Sequence, residues 1–275
     1  REMTPEQFIK LGKDGYNHVP VVRTMFADLD TPLSCYVKVA RGPYSYLLES
    51  AAQGGEKWSR YSLVGLPSDC VVKITGNEIT IEKSGEVTEQ FRVEDPLAFV
   101  EEFQTRFSYP ELQNLPIYTG GLVGYFGYDT IRYVEKKISQ SAPPDTLGTP
   151  DIILMVSNDV IVFDNVLGRI HLITHADPAE DGSFQLAQTR LQQMTQDLQT
   201  NVPKDLHDPV RGPRLHEADF VSNYGEEAYR ADVEKIKDYI VEGDVMQVVL
   251  AQRMSVAFES DPLNLYRALR SLNPS

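Results

Sequence analysis

Between residues 33 and 91 the apolar side chains recur at every second position in short runs, at 34–39, 44–48, 61–64, 71–74 and 79–81. A strand turns successive side chains to opposite faces, so this period predicts half-buried strands rather than helices. Gly76-Asn77 separates two of the runs and Ser84-Gly85 follows the next. Both pairs tolerate the positive φ that tight hairpin turns need, and such turns join antiparallel neighbours. The sheet predicted here is antiparallel.

Helix signals lie on either side. Thr4-Pro5-Glu6-Gln7 combines an N-cap hydroxyl, Pro at the first helical position and a capping-box Gln, which predicts a peripheral helix ending by Gly12 or Gly15. Asp95-Pro96 repeats the device ahead of Leu97, Val100, Phe103 and Phe107. Runs at 152–156, 160–164 and 169–174 predict buried strands, the last two joined by a turn at 165–168. Phe184, Ala187, Leu191, Met194 and Leu198 then step by three and four, one apolar stripe of a helix. Residues 200–219 have three prolines, many charges and no period, the composition of a linker. A further helix starts near Glu226 with Tyr229, Val233, Ile236 and Ile240 inward, and Gly243 ends it. Residues 245–258 read as one long strand or a bulged hairpin, and Asp261-Pro262 opens a last helix with Leu265, Leu269 and Leu272 on one face. Strands and helices cluster instead of alternating, so the expected class is α+β, largely antiparallel β-sheets packed with α-helices. The expected domains are 1–218, with its linker at about 200–219, and 219–275.

The 275 residues carry 26 basic and 40 acidic side chains, a net charge of −14, which argues against a nucleic-acid surface. No apolar run approaches the roughly 18 residues of a membrane helix. Two cysteines, Cys35 and Cys70, each in an apolar strand-like run, are too few for a disulfide framework and predict buried thiols in a cytoplasmic protein. The chain begins with Arg1 and stops at Asn273-Pro274-Ser275 directly after a helical pattern, which reads as a fragment.

Most chemical motifs fail on inspection. The histidines are scattered, and only His171 and His175 are close, at the end of a strand pattern where even spacing merely shares a face. The segment from Gly120-Gly121-Leu122-Val123-Gly124 to Asp129 lacks the strand-to-helix context of a dinucleotide loop and the Gly-Lys-Ser/Thr of a P-loop. Its glycines suit a strand whose backbone is closely approached. Two places are more informative. An apolar run delivers Glu49 and Ser50 to its end, where a carboxylate and a hydroxyl could receive an ammonium group, and Arg60 beyond the next turn could meet a carboxylate. A surface salt bridge is the simpler account of the same charges. Gln247 sits within the apolar 245–251, and a buried amide there must be satisfied by backbone or by ligand.

Four segments, Leu47-Leu48-Glu49-Ser50, Arg60-Tyr61-Ser62-Leu63-Val64-Gly65, Gly120 through Asp129, and Gly243-Asp244 through Arg253, together resemble component I, the large subunit, of the anthranilate synthases among the chorismate-utilising enzymes. Asn273-Pro274-Ser275 is similar to the opening of that family's Asn-Pro-Ser-Pro-Tyr-Met segment. The resemblance implies an enzyme that converts chorismate and ammonia to anthranilate and pyruvate with Mg2+, in tryptophan biosynthesis. It implies ammonia from a glutamine amidotransferase partner, a hetero-oligomer, and feedback inhibition by L-tryptophan. Carried over, the tryptophan-binding residues are Glu49, Ser50, Asn273 and Pro274, with Arg60 added. Gln247 stands where isochorismate-forming relatives place a Lys that activates water, so its neutral amide points to an ammonia-using member. The magnesium ligands and the catalytic His are expected after Ser275, which would leave this piece inactive alone. The alternatives are an aminodeoxychorismate synthase large subunit and a stand-alone amino-acid-binding regulatory module.

Overall fold

The structure, a computed structural model, describes residues 2–50, 60–113, 115–116, 118–207 and 212–273. The chain divides into two units, Arg1–Pro203 and Lys204–Asn273.

In the first unit, helix α1 (Pro5–Lys13) begins with both halves of the expected capping box: Gln7 N donates to Thr4 Oγ1 at 3.2 Å and Thr4 N to Gln7 Oε1 at 3.0 Å. Strand β1 (Val19–Phe26) follows, an element that the sequence pattern did not reveal because Pro20 and Arg23 break its alternation. It lies at the edge of its sheet, where a missing N–H is tolerated. The strand expected at 34–39 is instead helical. Helix α2 (Pro32–Cys35) runs on as a π-helical stretch over Tyr36–Ala40, so Cys35 is buried in a helix rather than in a strand. Its start carries a cap of its own, Ser34 N to Thr31 Oγ1 at 3.0 Å with Pro32 at the first position, and that local signal outweighs the two-residue period.

The remaining elements follow the expected order. Strands β2 (Tyr46–Leu48), β3 (Tyr61–Gly65), β4 (Cys70–Thr75), β5 (Glu78–Lys83) and β6 (Glu86–Arg92) precede helix α3 (Pro96–Gln104), whose Asp95 cap accepts from Leu97 N and Ala98 N. Then come β7 (Gly121–Phe126), a short helix α4 (Ile131–Val134), β8 (Ile152–Ser157), β9 (Val160–Asp164), β10 (Arg169–Ala176) and helix α5 (Ser183–Leu198). They form two five-stranded sheets of order β1-β10-β9-β3-β2 and β6-β5-β4-β8-β7, antiparallel at every described pair. The chain passes between the sheets at β3–β4 and β8–β9.

Both sheets are covered on one face by helices. In the first, Val19, Val21, Ile161, Phe163, Ile170 and Leu172 pack against Phe8 of α1, Cys35 of α2 and the α5 stripe of Ala187, Leu191, Met194 and Leu198. Each large apolar side chain among them (Val, Leu, Ile, Phe, Met), fully buried, contributes about 1.5–3 kcal/mol. The second packs Val72, Ile74, Ile79, Ile81, Ile152 and Leu154 against Phe99, Val100 and Phe103 of α3. The opposite face of the first sheet carries a smaller cluster, Val160, Val162 and Ile173 with Val22, Tyr61, Leu63 and Tyr118.

The second unit holds α6 (Lys204–His207), β11 (Val221–Ser222), α7 (Glu226–Glu242), β12 (Met254–Ser255) and α8 (Pro262–Leu272). The expected strand or hairpin over 245–258 is reduced to the two residues of β12, paired with β11. A strand needs a ladder partner, and among the described residues only Val221 and Ser222 supply one.

Candidate functional site

The smaller apolar cluster is where the first sheet meets Tyr118, with Pro116 beside it. Leu48 of β2 lies opposite Leu63 of β3, which lies opposite Val162 of β9, so all three share a face. Over them opens a cavity of about 260 Å3, lined by Leu48, Glu49, Ser50, Tyr61, Leu63, Pro116, Tyr118 and Val162. The strand thus delivers Glu49 and Ser50 to the rim of an apolar hollow. That is the arrangement that can hold a small molecule with an apolar body and a polar head.

The wall made by Tyr118 is fixed from behind. Its Oη lies 3.0 Å from Tyr46 Oη, and Tyr46 Oη lies 2.7 Å from Ser157 Oγ. Burial pushes both phenols upward, so they stay neutral hydrogen-bonding groups at ordinary pH. The Tyr46 ring lies against Gly65, where a Cβ would collide with it. These residues come from positions 46, 65, 118 and 157, and no local pattern links them, which is why sequence reasoning missed Tyr46 and Tyr118.

Arg60 meets a carboxylate of the chain itself, the salt bridge that is the simpler account of its charge, and not a ligand's. Its Nη2 donates to Asp164 Oδ2 at 2.7 Å and its Nε to Asp164 Oδ1 at 3.1 Å. Asp164 also accepts from Val166 N and Leu167 N, tying down the turn after β9. Burial alone would raise the Asp164 carboxyl, but the guanidinium and the two amides outweigh it and hold the group below its ordinary range. Arg60 also lies 4.9 Å from the Tyr61 ring centroid, so it braces a lining residue without itself lining the cavity.

The other candidate positions are not among the residues that line this cavity. Asn273 caps the end of α8 in the second unit. Pro274 lies outside the described residues. Gln247 is exposed in a stretch without regular structure rather than buried in a strand. Among the described residues no group of three His, Cys, Asp or Glu side chains could hold a metal ion. His171 bonds to Thr24 Oγ1 at 3.0 Å and His175 to the Asn158 carbonyl at 2.6 Å, each through Nδ1. No described helix is long and apolar enough to cross a membrane.

Residues 44–275 match the family described as chorismate binding enzyme. The chain is 49% identical over 273 residues to anthranilate synthase component 1 of Pseudomonas putida, covering 99% of this chain and 55% of that protein. It is 46% identical over 277 residues to the protein of the same name from Neisseria gonorrhoeae, again covering 55% of it. A crystal structure of anthranilate synthase component I from Streptococcus pneumoniae TIGR4 superposes with a TM-score of 0.63 at 29% identity, over 91% of this chain and 53% of that one. The chain therefore spans about half the length of the curated relatives it matches.

Proposed function

The chain belongs to the chorismate-binding enzyme family, and from that premise we propose that it is the N-terminal part of an anthranilate synthase component I whose first unit binds L-tryptophan as an inhibitor. The near-half identity to anthranilate synthase component 1 proteins, sustained over 99% of the chain, carries this reading. The whole enzyme would convert chorismate and ammonia to anthranilate and pyruvate in the cytoplasm, with ammonia delivered from glutamine by an amidotransferase partner. Gln247 supports ammonia over water as the nucleophile, since a neutral amide cannot act as the base that water would need. The Mg2+ that this reading implies would take its ligands from the part of the relatives' length that this chain does not span.

In the inhibitor site the roles follow from the cavity. Leu48, Leu63, Tyr61 and Val162 offer an apolar floor to an indole ring, and Glu49 and Ser50 at the rim meet the α-ammonium. A carboxylate-to-ammonium hydrogen bond is charge-assisted and contributes about 1.5–3 kcal/mol. Arg60 acts in the inhibitor site through Tyr61 and Asp164.

A ligand that binds only the folded state raises the melting temperature once its concentration exceeds its Kd. Millimolar L-tryptophan is expected to raise the melting temperature of this chain, and D-tryptophan is not. Glu49→Lys, which places like charges together, is expected to abolish the rise while leaving the circular dichroism spectrum unchanged. Equal stabilisation of the parent and Glu49→Lys by L-tryptophan would remove Glu49 from the site.

A further inference from the structure

A second cavity, of about 670 Å3, opens on the same face of the first sheet at its opposite edge. The shared face is set by register: Thr24, His171, Val162, Leu63 and Leu48 lie opposite one another in turn across β1, β10, β9, β3 and β2. The last three line the first cavity, and Thr24 and His171 line the second. One wall is a single face of α1, where Gln7, Lys10, Leu11 and Asp14 recur at helical spacing. The other is Leu112 and Leu115, from the stretch that continues into Pro116 and Tyr118 of the first cavity.

Charges of both signs surround this cavity. Lys10 and Arg169 supply two cations and Glu2 and Asp14 two anions, yet none of the four enters an ion pair with another described residue. What sets these four apart is their place, two cations and two carboxylates around one partly apolar cavity. His171 is buried at the floor, with Nδ1 on Thr24 Oγ1 and Nε2 without a partner among the described residues. Burial lowers its basicity, so near neutral pH it is an uncharged group with one ring nitrogen to offer.

We propose that this cavity is a second small-molecule site, separate from the one at Glu49, for an amphipathic zwitterion: an amino acid with an apolar side chain lying over Leu11, Val22 and Leu115. Its carboxylate pairs with Lys10 and Arg169, and its ammonium with Glu2 and Asp14. Chemistry of that kind uses both signs of charge, whereas a simple anion or cation would meet one pair of like charges.

The test is a titration of the 15N-labelled chain with L-phenylalanine, read at the backbone amides of Leu11, Thr24 and Arg169 for the second cavity and of Glu49 and Val162 for the first. Saturable shifts are expected at Leu11, Thr24 and Arg169. 3-Phenylpropionate and phenethylamine, each lacking one charge, are expected to bind there more weakly. The double variant Lys10→Glu/Arg169→Glu changes only exposed side chains and is expected to weaken that set at least about tenfold, the loss of one charge-assisted contact. Glu49→Lys is expected to leave the same set intact, so failure of the tryptophan site and failure of this one give different spectra. Shifts confined to Glu49 and Val162, no saturable shift at millimolar L-phenylalanine, or unchanged affinity in the double variant would each overturn the proposal.

Discussion

His175 sits at the end of β10 with its ring against Tyr109 and near His18, and its Nδ1 on the carbonyl of Asn158, in the turn that carries the chain from one sheet to the other. Burial is the main reason its imidazole is pulled down to about 4, with the nearby His18 acting in the same direction against the Asn158 carbonyl and Asp159. The unfolded chain takes up that proton near the ordinary value of about 6.5, before the folded one does. Stability is therefore complete above about pH 6.5 and falls with acid until about pH 4, where the folded imidazole protonates too. The full loss from this group is on the order of 3 kcal/mol. Urea midpoints measured from pH 7 to pH 4.5 are expected to fall, and His175→Gln is expected to flatten that slope by the contribution of one proton. An unchanged slope in the variant would assign the acid sensitivity elsewhere. At this scale position was legible where it is local: β2 ends at Leu48, so Glu49 and Ser50 follow it into the lining of the cavity. A role that depends on a distant partner was not legible. Arg60 meets Asp164 across 104 positions, and Tyr46 meets Ser157 across 111.

Elements were legible when cap and period agreed. Pro5–Lys13, Pro96–Gln104 and Pro262–Leu272 each follow a capping residue and a Pro, and each formed. At 34–39 the two signals conflicted: the alternation spoke for a strand and Thr31-Pro32 for a helix, and the cap prevailed. The glycine-rich segment shows the reverse case, where composition alone misleads toward phosphate binding and the strand context decides. Gly124 of β7 pairs with Leu154 of β8, and a Cβ on it would strike the carbonyl of Ile153. Gly124→Val must therefore push the edge strand off its neighbour, although valine favours strands in general. The expected cost is about 1–3 kcal/mol, as for other overpacked positions, seen as a lower urea midpoint. A midpoint equal to the parent's would show that β7 can shift without loss, and that the glycine is there for another reason.

For the molecule as a whole, apolar burial is unevenly shared between the two units. In the first, strands β8, β9 and β10 are almost wholly buried, and the helices α3 and α5 cover full apolar faces. In the second, Leu206 is the only described residue that is buried, while Val241, Met246, Val249 and Leu272 are more than four-fifths exposed. The stripe predicted to face inward on α7 is half-buried at Tyr229, Val233 and Ile236, and Ile240 is 43% exposed. Side-chain burial is what normally stabilises a helix in a protein, because isolated helices of 11 or 17 residues are marginal in water. Regions with few buried apolar contacts open locally at little cost, whereas central strands exchange only on global unfolding. Hydrogen exchange of this chain is therefore expected to be fast across α7 and α8 and slow across β8, β9 and β10. The pattern has a second consequence, since uncovered apolar faces tend to associate. Raising the protein concentration should slow exchange in α7 and α8 selectively, with a matching rise in mass by light scattering. Protection of α7 and α8 equal to that of β9 in dilute solution would mean that side chains counted as exposed are in fact covered, and the uneven division of burial between the units would have to be abandoned.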